Sequence, residues 1–237
     1  MITSFVDKIL KLGEVQFKDA HGVLFADKEM RLLSPPSPKA LRFGNLTSLV
    51  DYVKSDLDGT DRKMALLIEH PGLVLLLGGI DPAYKSRPTW ATTECDIFKF
   101  PWGNWGDVES FIIGLQTHFV VDDNIKAVLG LVGNISDSNV KNFNDDGTTQ
   151  QVTAKVGITK MENVKVPNPV ILAPYRTFRE VTQVASPFLL RMRSAQNQGG
   201  LPQCALFEAD GGAWKLEAVA RVKKYLAEQL PTIEVFA

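Results

Sequence analysis

The chain has 237 residues, 45% of them hydrophobic and 22% charged, enough to bury a sizeable core as one large domain or two small ones. Its 26 Lys and Arg stand against 27 Asp and Glu, which excludes the global basic field that draws proteins onto nucleic acid or anionic membranes; any such contact would be local. Two cysteines, Cys95 and Cys204, exclude a disulfide framework and read as reduced, buried thiols of a cytosolic protein.

In chain order, residues 2–12 place Ile2, Phe5, Val6, Ile9, Leu10 and Leu12 near one helical face, with Gly13 as a stop. Asp7, Lys8 and Lys11 interrupt that run, unlike the core of a signal peptide. VQFKDAHGVLF predicts a hairpin around Asp19 to Gly22, and RLLSPPSPKALRF sets three prolines within four residues, predicting an extended connector. Residues 1–40 thus read as an arm of helix and hairpin, and 41–237 as the main domain, with a subdivision suggested near 133.

Asn45 is a suitable N-cap for LTSLVDYVKSDL, whose buried stripe is expected to be Leu46, Leu49, Val50, Val53 and Leu57. MALLIEHPGLVLLLGG predicts a buried hairpin turning at Pro71-Gly72; its longest apolar run, 72–80, is roughly half of what a membrane-crossing helix needs. WATTECDIFKF continues as a strand. Helices are expected from about Asp107 to Phe119, with Val108, Phe111, Ile112 and Leu115 inward, and from near Asp122, the two forming a helical hairpin.

Beyond 133, β-branched residues mix with turn formers, and Asp146-Gly147 suits a hairpin between VKNFN and TQQVTAKV. VPNPVILAPYRTF, SPFLLRMRS and QCALFEA are further strands, which Pro167, Pro169, Pro174 and Pro187 should limit to short or edge positions. A long helix at 212–230 and a terminal strand in PTIEVFA close the chain. Elements come in blocks rather than in strict alternation, so the expected class is α+β, mostly antiparallel sheet with amphipathic helices.

Four constellations carry possible chemistry. In ALFEADGGAWKLEAV, Gly211 and Gly212 lead from a strand into helix amides that could meet a phosphate, but Glu208 and Asp210 would repel it, and GxGxxG and GxxxxGK[ST] are both lacking. The favoured reading is a corner in which Asp210 caps the helix, and Trp214, Ala218, Val222 and Leu226 form its core-facing ridge.

APYRTFREVTQVASPFLLRMR interleaves Arg176, Arg179, Arg191 and Arg193 with Tyr175, Phe178 and Phe188, as a platform for single-stranded nucleic acid would; the alternative is ion pairing with Glu180, Glu208 or a partner. The acidic residues Asp145, Asp146, Glu208 and Asp210 would serve a metal-dependent nuclease or hydrolase only if the fold brings them together. His21, His70 and His118 are isolated, no nucleophile elbow is present, and neither a catalytic residue, a metal site nor a cofactor is assigned. Finally, Ile233, Val235 and Phe236, together with Trp102 and Trp105 in WGNWG, suggest an oligomer interface.

The runs DDGTTQQVTAKVGI, PNPVILAPYRTFREV, SPFLLRMR and LFEADGGAWKLEAV, with FGNLTSLVDYVKSDLDG and ESFIIGLQTHFV, resemble a family of uncharacterised proteins encoded by tailed phages and prophages, over most of the chain from about residue 40. It departs at Arg179, where that family's pattern has proline. The resemblance implies a phage or prophage origin and transfers no active-site residue. The expectation is a non-enzymatic, cytoplasmic protein acting as a homo-oligomeric shell, scaffold or sequestering particle, with no membrane partner. A nucleic-acid-binding accessory protein of phage recombination or replication is the alternative, and a metal-dependent nuclease or hydrolase the third.

Overall fold

The structure, a computed structural model, describes residue 6 and residues 17–20, 23–26, 39–58, 63–82, 85–97, 99–136, 143–145, 150–156, 160–165, 168–193 and 202–237. The chain divides into Met1–Pro38 with Asp81–Ser86, and Lys39–Ile80 with Arg87–Ala237.

In the smaller unit, β1 (Phe17–Ala20) and β2 (Val23–Ala26) pair antiparallel from Phe17 opposite Ala26 to Ala20 opposite Val23, the hairpin expected there. Of the predicted opening helix only Val6 is described, in helical conformation; the rest, with the proline connector, lies outside the described residues.

The larger unit is α+β and contains two cores. One is built on a five-stranded sheet of order β14-β4-β5-β6-β3, from β3 (Leu41–Phe43), β4 (Ala65–His70), β5 (Leu73–Leu77), β6 (Thr89–Glu94) and β14 (Glu234–Phe236). The β4-β5-β6 meander is antiparallel, with Pro71-Gly72 in the β4-β5 turn, while the edge strands β3 and β14 each pair parallel. Helices α1 (Leu46–Ser55) and α4 (Trp214–Gln229) pack on one face, where Leu66, Ile68, Val74 and Leu76 meet Leu46, Leu49, Val50, Val222 and Leu226. Asn45 caps α1 by accepting from Ser48 N at 2.8 Å. One predicted stripe residue fails: Asp56 turns left-handed (φ 45°) and ends α1, so Leu57 leaves the helical face and is 76% exposed.

The second core sits under a four-stranded antiparallel sheet of order β11-β12-β13-β7, from β7 (Gly106–Asp107), β11 (Val170–Leu172), β12 (Ser186–Arg193) and β13 (Gln203–Glu208). Its helices are the expected hairpin, α2 (Val108–His118) and α3 (Asp123–Ser136), capped by Asp107 on Ser110 N and Asp122 on Ile125 N. This core is aromatic: Phe100 meets Phe119 edge-on at 5.2 Å, and Trp102 stacks on Phe188 at 5.2 Å. Pro187 does not confine β12 to an edge; it lies near the start of an eight-residue interior strand, where a missing donor disturbs little of the ladder. β8 (Phe143–Asp145), β9 (Gln150–Val156) and β10 (Lys160–Lys165) form a separate antiparallel sheet, with β9 alongside α3; Asp146 and Gly147 lie outside the described residues.

Candidate functional site

The opening of α4 settles as a corner. Gly211 (φ 61°) and Gly212 (φ 87°) occupy the left-handed region that glycine alone adopts freely. Asp210 then accepts from Gly212 N at 2.9 Å and Trp214 N at 3.1 Å, so the amides a phosphate would need already hold a carboxylate. Ala218, Val222 and Leu226 are buried as the ridge requires, and Glu217–Arg221 and Lys224–Glu228 pair along the outside.

The arginine-rich segment divides between interior and surface. Arg176 is 6% exposed; Nη1 donates to Glu208 Oε1 at 2.6 Å, Nη2 donates to Ser186 Oγ at 2.6 Å, and the guanidinium lies 3.9 Å from the centre of the Trp214 ring. Burial pulls this guanidinium below its ordinary pKa, while the Glu208 carboxylate pushes it back up. Phe178 is 1% exposed and plugs the core of the five-stranded sheet together with Val181. Two of the six residues proposed for nucleic-acid binding, Arg176 and Phe178, are therefore turned inward. Arg179 covers the Tyr175 ring at 3.6 Å, and Arg193 covers Trp105 at 4.3 Å while donating from Nε to Gln203 at 2.9 Å. Arg191 and Arg193 do share the half-buried face of β12. Glu180 goes to Thr47, whose backbone N it binds at 3.0 Å.

The loop carrying Arg176 is held by Gln183, which composition and spacing do not reveal. Its Oε1 accepts from the N–H groups of Arg176 (3.0 Å) and Thr177 (3.3 Å), and its Nε2 donates to the carbonyls of Phe178 (3.0 Å) and Val181 (3.2 Å). One buried amide thus satisfies four backbone groups of a segment that has no ladder of its own.

Two of the four proposed carboxylates are engaged elsewhere in the fold. Glu208 serves Arg176 and Asp210 serves the helix, Asp146 lies outside the described residues, and no group of three potential metal ligands occurs among the described residues. Both cysteines are free, and burial pushes Cys95 up to about 11 and Cys204 up to about 12, the opposite of an activated thiolate.

Of the expected interface residues, Trp102 packs on the aromatic core, Trp105 lies between Arg193 and an edge-on contact with Phe207, and Ile233 and Val235 face the five-stranded sheet's core. Phe236 remains outside, 51% exposed. It is opposite Leu67, which is opposite Leu75, and along β5 Leu73, Leu75 and Leu77 alternate with the buried Val74 and Leu76. The sheet therefore has a second apolar face, half-buried, over which no hydrophobic core forms among the described residues. Its two edges carry opposite charge, Glu234 on β14 and Arg42 on β3, both exposed. Beside β14 an open cleft of about 870 Å³ is lined by Val53, Met64, Ile80, Ile233 and Phe236, with Lys63 and Arg87.

A smaller cavity, of about 200 Å³, lies against Arg176, Glu208 and Trp214, with Phe100, Trp102, Pro174 and Tyr175 among its walls. No helix among the described residues is long and apolar enough to cross a membrane. Compared with protein families, curated proteins and solved structures, the chain matches none.

Proposed function

We propose that this protein is a phage- or prophage-encoded, non-enzymatic component that works as a homo-oligomer, associating through the second apolar face of its five-stranded sheet. The observation that carries the reading is the leucine row Leu67, Leu73, Leu75 and Leu77 with Phe236 at its edge: a sheet apolar on both faces is built to be covered on both. A second copy suits the face because a two-fold axis running along the strands, between two sheets packed face to face, brings the β14 edge of each chain, with Glu234, over the β3 edge of the other, with Arg42. The resemblance of the PYRTFREV and FEADGGAWKLEAV runs to phage and prophage proteins supports the origin. A shell, a scaffold or a sequestering particle would each use such a contact.

The test is the mass and shape of the purified full-length protein at micromolar concentration, by light scattering and particle imaging with the 260 to 280 nm absorbance ratio. The expected result is a nucleic-acid-free particle whose mass is a multiple of the 26.2 kDa chain. A monomer would overturn the reading, and a small species carrying nucleic acid would shift it to Arg179, Arg191 and Arg193.

A further inference from the structure

Arg176 and Glu208 line the cavity of about 200 Å³ as an ion pair, Nη1 donating to Oε1 at 2.6 Å, so their charges cancel. Lys99 and His118 line it too. Lys99 is exposed, which puts it at the mouth, and it makes no ion pair among the described residues. Its ammonium is therefore the uncompensated charge of the lining, and His118, neutral or cationic but never anionic, cannot reverse that sign. From this cluster we infer that the cavity is a binding site for a small aromatic carboxylate, with its ring inside and its carboxylate at the mouth beside Lys99.

The walls assign the ring. Phe100, Trp102, Tyr175 and Trp214 bound the space together with Ile97 and Pro174, and such a lining favours a flat, weakly hydrated body. The volume is below the roughly 300–1,000 Å³ of pockets for drug-sized molecules, which limits the occupant to a single compact ring. The charges assign the carboxylate and its place. A carboxylate drawn fully inside would lose its hydration and approach Glu208, a cost that pairing in the interior does not reliably offset. At the mouth it stays in contact with water while the Lys99 ammonium, on a flexible four-carbon stem, closes on it. Burial of the ring then supplies most of the affinity, and Lys99 selects the sign of the charge.

The site is independent of the proposed assembly contact, since none of its residues belongs to the five-stranded sheet. Isothermal titration of the full chain with benzoate, benzamide, benzylammonium and acetate tests it whatever the oligomer size. The expected result is one benzoate per chain with a Kd below about 1 mM, and benzamide at least about threefold weaker because it has no charge for Lys99. Benzylammonium should be weaker still, and acetate at least about tenfold weaker than benzoate because it has no ring to bury. Lys99→Met keeps an apolar stem and removes the charge at an exposed position, so it should bring benzoate to the affinity of benzamide, while Lys99→Arg retains the difference. With wild-type protein alone, the assignment is overturned by a benzoate Kd above about 1 mM, or by benzamide, benzylammonium or acetate binding as tightly as benzoate. A folded Lys99→Met variant with unchanged benzoate affinity overturns it equally.

Discussion

The two sheets of the larger unit differ in what they enclose and what they leave open. The four-stranded sheet and its helical hairpin close over a core of interlocking aromatic rings, and at its margin lie a buried arginine and a small cavity. The five-stranded sheet is aliphatic and, among the described residues, contains no buried charged group and has helices on one of two apolar faces. Aromatic rings with a polar handle can orient a ligand, whereas a leucine face has no directional preference and favours broad contact. On the proposed function, association belongs to the second region. The loop from Ala173 to Ala185 serves both, sending Arg176 to the cavity and Phe178 and Val181 to the aliphatic core.

Substitutions can break this contrast, and the largest effect is expected in the loop. Phe178→Ala, which empties a site 1% exposed, should cost about 3–5 kcal/mol in urea denaturation, a loss a merely local plug would not give. Gln183→Leu takes away the side chain that holds four backbone groups and leaves three of them without that partner, Phe178 O still accepting from Val181 N, and should cost about 2–4 kcal/mol in urea denaturation. Gly212→Ala forces a side chain to φ 87° and should cost about 1–2 kcal/mol without changing oligomer mass.

Titration sharpens the same picture at a smaller scale. Burial raises the Cys204 thiol to about 12, above its value in the unfolded chain, so the stability from holding it protonated is complete below that unfolded value. It is lost as pH rises towards the folded value, and denaturation midpoints should fall between about pH 9 and 11, less steeply in Cys204→Ala.

Much of this fold is legible in the residues themselves, because caps and turns act locally. Asn45, Asp107, Asp122 and Asp210 each bond amides two to four positions on, and Pro71-Gly72 makes its turn without help from afar. What is not legible depends on partners distant in sequence. Arg176 and Glu208 meet across 32 positions, and nothing in either segment says that this arginine, rather than Arg179, enters the interior. Gln183 is an ordinary polar residue until four backbone groups surround it. MALLIEHPGLVLLLGG reads as a buried hairpin; only the fold shows that, among the described residues, one of its faces has no core above it. The terminal strand was foreseen, but its parallel pairing with β4, which turns Val235 inward and Phe236 outward, follows from register alone.

The central claim is that the leucine face holds copies of the chain together, and the measurement that tests it most directly is a light-scattering dilution series on wild-type protein beside Leu75→Lys. Leu75 lies at the centre of β5 on the half-buried face, so a charge there should cost about 1–2 kcal/mol in urea denaturation while leaving a folded chain and reducing the mass towards 26.2 kDa. A folded Leu75→Lys protein that keeps the wild-type mass at every concentration would contradict the account.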